Sequence, residues 1–60
     1  MAQFIEVTPS HGSPRVINKI LIKDIAVSPV AGTIIKFIDP NEPTITVLEN
    51  FFALKRLLLE

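Results

Sequence analysis

His11 is the only histidine in this 60-residue sequence, and two serines, Ser10 and Ser13, lie close to it in sequence. A serine nucleophile with a histidine base would be one chemistry for such a cluster. Neighbouring positions in sequence do not form a catalytic triad, however, and we identify no carboxylate that would orient the histidine. We therefore interpret His11 as a solvated histidine in a turn, and we expect no catalytic residue and no enzyme.

Two further patterns match ligand sites only in part. Residues 39–42 begin like an acidic calcium loop, but the twelve-position ligand pattern and its central glycine are missing. Gly12 and Gly32 are isolated glycines, so neither begins a glycine-rich phosphate loop. With one histidine and no cysteine, the chain also lacks a set of soft metal ligands. The sequence therefore predicts no metal and no cofactor.

Four cations lie between residues 15 and 36, where Asp24 is the only acidic residue, so this stretch has a local charge of +3 in a chain of zero formal net charge. Repeated around an oligomer, such a stretch would form a basic surface for phosphates. Lysines on edge strands are also a common protection against aggregation, and no aromatic residue lies among these cations to stack on a base. A small nucleic-acid-binding regulator is therefore the alternative function. Its candidate contacts are Arg15, Lys19, Lys23 and Lys36.

Strands are the elements that must position most of these residues. The chain has nine Ile and five Val, all of them before Leu48, and β-branched residues favour strands. Clusters of Gly and Pro divide this part of the chain into short segments. Residues 19–25 fit either a continued strand or one helical turn that brings Ile22 beside Ile25, and we prefer the turn. We predict strands at about 3–8, 15–18, 25–30, 33–38 and 44–48.

A helix is predicted at about residues 50–59, where β-branched residues are absent and good helix formers follow one another. We choose Asn50 as its N-cap, although Thr46 and Glu49 would form a competing capping box that starts the helix one turn earlier. The predicted fold class is thus α+β. It comprises a small antiparallel sheet of four to five strands with two hairpins, followed by one amphipathic C-terminal helix, in a single domain of residues 1–60.

The predicted helix has more apolar surface than one small sheet can cover. At 100° per residue, one continuous stripe faces the sheet, and it consists of Phe51, Leu54, Leu57 and Leu58. Phe52 and Leu59 fall outside this stripe, on the far side of Lys55. The methylenes of Lys55 can lie between these two apolar side chains while its ammonium stays in water. We therefore predict an oligomer interface formed by Phe52, Leu59 and Lys55.

Chain length and composition also favour self-association. A chain of this size buries only about 60 % of the surface that it exposes when unfolded. It has no cysteine for a disulfide, yet 48 % of its residues are apolar. Association of identical chains is the remaining common way to cover such a surplus. We therefore expect a homo-oligomer that acts as a non-enzymatic protein-interaction module. Its candidate partners are further copies of this chain and another protein.

The sequence also indicates a cellular location. The absence of cysteine is typical of a reducing compartment, and no basic segment followed by an apolar run begins the chain. No apolar stretch approaches the roughly 20 residues that a membrane-spanning helix needs. We therefore expect a cytoplasmic protein without a membrane span.

The order of these elements resembles a known family over nearly the whole chain. The residues that carry the pattern are Phe4, Ile5, Thr8, Gly12, Asn18, Leu21, Ile22, Ile25, Thr33, Ile35, Val47, Glu49, Asn50, Phe51, Leu54, Leu57 and Leu58. In this order they are similar to the small bacterial flagellar and swarming-motility proteins of the FlbD and SwrD type. The chain departs from that pattern at Ile20, at residues 39–43 and at Asn50, where the family usually has an acidic residue, a tight Asn-Gly turn and a serine. The resemblance implies a bacterial accessory protein without enzymatic activity.

Overall fold

The computed structural model describes residues 3–60; Met1 and Ala2, which belong to the predicted 1–60 domain, lie outside the described residues. The fold is α+β, as predicted, with two small antiparallel sheets followed by a C-terminal helix. The elements are β1 (Phe4–Val7), β2 (Arg15–Asn18), a 3₁₀ turn (Lys19–Leu21), β3 (Ile22–Val27), β4 (Thr33–Phe37), β5 (Ile45–Val47) and α1 (Phe51–Leu59).

The third strand differs from the predicted strand at 25–30, because β3 begins at Ile22 and ends at Val27. Asn18 caps the preceding 3₁₀ turn, and its Oδ1 atom accepts a hydrogen bond from the Ile20 amide at 3.0 Å. The helical turn is limited to Lys19–Leu21, so the preferred turn that brings Ile22 beside Ile25 is wrong: both residues lie on β3. The strand ends early because the chain turns between Ser28 and Gly32, where the Ser28 hydroxyl accepts hydrogen bonds from two successive amides.

Backbone hydrogen bonds join the two sheets into one framework. The first sheet is β1–β2, and the second has the order β3–β4–β5. Just beyond β1, the Ser10 amide donates to the Thr46 carbonyl, and the Leu48 amide donates to the Thr8 carbonyl, each at 2.8 Å. Pro9 lies between these two bonds, opposite Val47, at a position that needs no ladder hydrogen bond. Its missing N–H therefore costs this junction nothing.

The core lies where both sheets meet α1. Its buried apolar side chains are Ile5, Val7 and Ile17 from the first sheet, Ile35 and Val47 from the second, and Leu54 from the helix. The alternation of buried and exposed residues along β1 explains why this strand can supply two core residues from four positions. Within residues 3–60, these six buried apolar side chains make a small core.

Local capping positions the helix at the end of β5. Asn50 is the N-cap, as predicted: its Oδ1 atom accepts a hydrogen bond from the Phe52 amide at 2.8 Å. The competing capping box does not form, because Thr46 belongs to β5. Within residues 3–60, no helix is both long enough and apolar enough to cross a bilayer, since the nine residues of α1 extend about 14 Å.

Candidate interaction surfaces

More large apolar side chains are exposed than buried in the described part of the chain. The exposed ones are Phe4, Val16, Ile20, Leu21, Val27, Val30, Ile38, Leu48, Phe52, Leu57 and Leu59. Single apolar residues are normal on protein surfaces, whereas grouped ones mark interaction sites. Two groups are defined by their position in the fold: one on α1 and one along β2.

The helix group contains the residues that the sequence assigns to an oligomer interface. Phe52 is 68 % exposed, Leu59 is 76 % exposed, and Lys55 between them is also exposed. Phe51 is half-buried and holds the Phe52 ring edge-on, with ring centroids 5.6 Å apart and planes at 85°. Phe51 thus links the core-facing stripe to the outer face. We call Phe52, Lys55 and Leu59 the outer helix face.

The core-facing stripe of α1 is narrower than the sequence predicts. Leu54 is fully buried, Phe51 and Leu58 are half-buried, and Leu57 is 37 % exposed. Leu57 was expected to cover the sheet, but the two small sheets do not extend far enough around the helix to bury it. This adds to the apolar surface that α1 presents to solvent.

Lys19 stabilises the far end of the helix. Its Nζ atom donates hydrogen bonds to the Leu57 carbonyl at 2.9 Å and to the Glu60 carbonyl oxygen at 3.1 Å. The last carbonyls of a helix lack partners within the helix and carry partial negative charge, so an ammonium group there is favourable. The pair is 38 residues apart in sequence, and no local pattern could have indicated it. Lys19 is thus a structural contact as well as a candidate nucleic-acid contact.

The other three candidate nucleic-acid contacts are all exposed, in different settings. Arg15 lines a groove together with two carboxylates, Asp39 and Glu42. Lys36 on β4 is the register partner of Asp24 on β3, and Lys23 lies at the irregularity of that strand pair. Each cation except Lys23 therefore has an acidic residue or helix carbonyls close by. The use of these four cations as nucleic-acid contacts stays a prediction.

The groove beside Arg15 has a volume of about 520 Å³. It runs along β2 and is closed on the other side by Phe37 and by the loop that follows β4. Exposed apolar side chains, namely Phe4, Val16 and Leu21, contribute to its lining. Sequence reasoning missed this groove, because its walls come from four separate segments of the chain. We call it the β2 groove.

Glu49 and Thr33 hold the junction between β5 and α1. The Thr8 amide donates to Glu49 Oε1 at 2.8 Å, and the hydroxyl of the fully buried Thr33 donates to the Glu49 carbonyl at 2.8 Å. These bonds fix the start of α1 to both sheets. The Glu49–Asn50 pair of the sequence pattern therefore has a structural use in this chain, since one residue ties the sheets and the next caps the helix.

His11 lies in the exposed connection between β1 and β2. It lines a shallow groove of about 290 Å³ with Pro9, Ser10, Thr44, Ile45 and Thr46, so that no carboxylate belongs to this lining. Across residues 3–60, the structure contains no group of three or more His, Cys, Asp or Glu side chains that could hold a metal ion.

Three comparisons with known proteins identified no relative of this chain. No protein-family model matches the chain. No curated protein is significantly similar to it in sequence. No solved structure is significantly similar to it in fold.

Proposed function

We propose that this chain is a non-enzymatic, self-associating protein-interaction module, and that identical chains meet through the outer helix face. Phe52 and Leu59 lie on one exposed side of a capped, anchored helix, with the Lys55 side chain between them. Burying a Phe or Leu side chain contributes about 1.5–3 kcal/mol relative to leaving it in water. A symmetric contact buries both residues of both chains, so even partial burial is a substantial driving force.

The observation that carries this proposal is the exposure of Phe52 and Leu59 beside a core of only six buried apolar side chains. A core of this size leaves a thin stability margin for an isolated chain. Association would stabilise the folded state in proportion to the logarithm of chain concentration, because only the folded chain presents the helix face.

The experiment compares Phe52→Asp with the matched variant Ala53→Asp in sedimentation velocity. Both positions are exposed in the first turn of α1, so an aspartate has the same favourable interaction with the helix N-terminus in each variant. At Phe52 the charge would be buried in the interface, whereas Ala53 is turned by about 100° from it. We expect Phe52→Asp to lower the mass of the oligomer and Ala53→Asp to leave that mass unchanged. Equal masses for the two variants would overturn the helix face as the interface.

The resemblance to the flagellar and swarming-motility family supports a place for this module in the bacterial cytoplasm, as an accessory protein of motility. The absence of cysteine agrees with a reducing compartment. A strain that lacks the gene should swarm less than its parent, and full swarming by that strain would separate the module from motility.

A further inference from the structure

The described strands with backbone groups facing away from their sheet include β2, β3 and, at Phe4 and Glu6, β1. Free edges present unpaired backbone groups, and proteins commonly protect them with bulges and charges. The β3 edge has both protections, since its pairing is irregular between Ile22 and Asp24 and it carries Lys23 and Asp24. The β2 edge continues from Arg15 into Val16 and Ile17 in regular register, and it opens into the apolar β2 groove. The β2 edge has a charge at Arg15 and follows Pro14, but it has no bulge, and all four of its residues line the β2 groove.

The pairing of β2 with β1 determines which backbone groups face this groove. The Lys19 amide donates to the Gln3 carbonyl at 2.9 Å, which makes this a hydrogen-bonded pair of the antiparallel ladder. Because such pairs alternate along the strands, Arg15 and Ile17 also direct their backbone groups toward β1. Val16 N–H, Val16 C=O and Asn18 N–H therefore point away from β1.

The two ends of β2 each lack one of the backbone groups that a regular strand would present. Pro14, just before the strand, has a carbonyl but no N–H. Asn18, at the other end, is the N-cap of the 3₁₀ turn. The first i→i+3 hydrogen bond of a 3₁₀ turn is accepted by the carbonyl of the cap residue, so the Asn18 carbonyl is already occupied. The edge thus offers, in order, an acceptor at Pro14, a donor and an acceptor at Val16, and a donor at Asn18.

We propose that the β2 edge pairs with β2 of a second copy of this chain, antiparallel, with the two-fold axis at Val16. In this register, Val16 N–H donates to the partner's Val16 C=O, and Asn18 N–H donates to the partner's Pro14 C=O. The symmetry repeats both bonds. Pro14 has no N–H, and it lies opposite the partner's Asn18, whose carbonyl is already bonded within its own 3₁₀ turn. Each of the four outward groups of one edge therefore has a hydrogen-bond partner on the other. This self-complementary order is what selects a second copy as the occupant.

The surrounding side chains agree with this occupant. The β1–β2 pair alone has two strands, and two-stranded sheets are marginal, whereas the pairing makes a continuous sheet of four strands. Val16 is 68 % exposed and lies at the axis, where it contacts its own copy. Phe4, 57 % exposed, lies on the same sheet face, one strand further out, and becomes less exposed as the sheet widens.

This inference rests on the proposed self-association and adds a second interface to the outer helix face. Its test is Val16→Pro, which removes an outward N–H, replaces the exposed valine side chain by a proline ring and leaves the β1–β2 bonds in place. Val27→Pro is the matched control, because Val27 is 64 % exposed on the β3 edge. The Ser28 amide donates to the Gly32 carbonyl, so residues 28 and 32 form a hydrogen-bonded pair. The next pair, Val27 and Thr33, is then not hydrogen-bonded, and Val27 N–H also faces outward. Light scattering of folded protein then gives the masses.

With two symmetric interfaces, the parent chain forms assemblies larger than a dimer. Val16→Pro and Phe52→Asp should each reduce them to dimers, the double variant should be a monomer, and Val27→Pro should match the parent. An oligomer whose mass is unchanged by Val16→Pro overturns this inference and leaves the helix interface standing. A parent chain that is monomeric overturns both.

Amide hydrogen exchange of the parent chain gives a second readout that needs no variant. Val16 and Val27 both direct their N–H groups to a strand edge, so in a single chain both should exchange quickly. In the paired assembly, Val16 and Asn18 amides should exchange at least ~10-fold more slowly than Val27, and dilution should remove the difference. Equal exchange at Val16 and Val27 at high concentration contradicts the pairing.

Discussion

Gly32 is the residue at which one added carbon atom would disturb the fold most. Its φ of +81° is rarely adopted by residues with a side chain, and a Cβ there would lie 2.0 Å from the Val47 carbonyl oxygen. Gly12 also has a positive φ, +118°, but a Cβ there would meet no atom within 4 Å. An added Cβ would therefore cause backbone strain alone at Gly12, and both strain and a steric clash at Gly32.

Gly32→Ala should lower the free energy of unfolding by more than about 3 kcal/mol, because left-handed strain of about 1–2 kcal/mol adds to displacement of the β5 backbone. Gly12→Ala should cost only the strain. Urea unfolding of the two variants at equal chain concentration measures the difference. Equal losses would contradict the close approach of the β3–β4 turn to β5.

At the scale of elements, the contact between the 3₁₀ turn and α1 connects parts of the chain that are far apart in sequence. Lys19 provides it through its hydrogen bonds to the last helix carbonyls. Replacing the ammonium by an apolar group of similar length leaves these carbonyls to water and removes the favourable charge at the helix end.

Lys19→Met should therefore lower stability by about 0.5–1 kcal/mol, with faster amide exchange in the last turn of α1. Added salt should reduce the difference from the parent chain, because the contact is exposed. Lys23→Met is the control, since Lys23 is exposed on the β3 edge and makes no helix contact in the described residues. An equal loss of stability in Lys19→Met and Lys23→Met would show that the contact with the helix end is not the cause of the loss.

Sequence predicts the elements whose causes are local. The alternation in β1 and the cap at Asn50 depend on residues within four positions of each other, and the structure has both as predicted. The start of β3 depends on Asn18 capping a short turn that competes with a strand, and propensities alone do not decide such a competition. The exposure of Phe52 and Leu59 follows from helical spacing, which sequence also predicts.

The features that sequence could not predict are produced by contacts across the fold. The Lys19 bond to the helix end joins residues 38 positions apart, and the Thr8 bond to Glu49 joins residues 41 positions apart. The walls of the β2 groove come from β1, β2, the 3₁₀ turn and the end of β4 with its following loop. Strand register places Arg15 beside Val7 and Lys36 beside Asp24, and the order of residues along the chain does not indicate either pair.

In the molecule as a whole, the core is small compared with the apolar surface that remains exposed. Six buried apolar side chains support two small sheets and one helix, while Phe52, Leu59 and the apolar lining of the β2 groove remain in contact with water. Association of identical chains is one common way in which domains of this length gain stability. Self-association is therefore the property that we propose first for this chain, and each interface is one means of achieving it.

The solution mass of the parent chain across a dilution series tests this claim most directly. At high micromolar concentration, light scattering should give a multiple of 6.7 kDa, and the thermal midpoint should rise with chain concentration because association stabilises only the folded state. Dilution should lower both. A folded chain of 6.7 kDa at every concentration, with a constant thermal midpoint, would contradict the account.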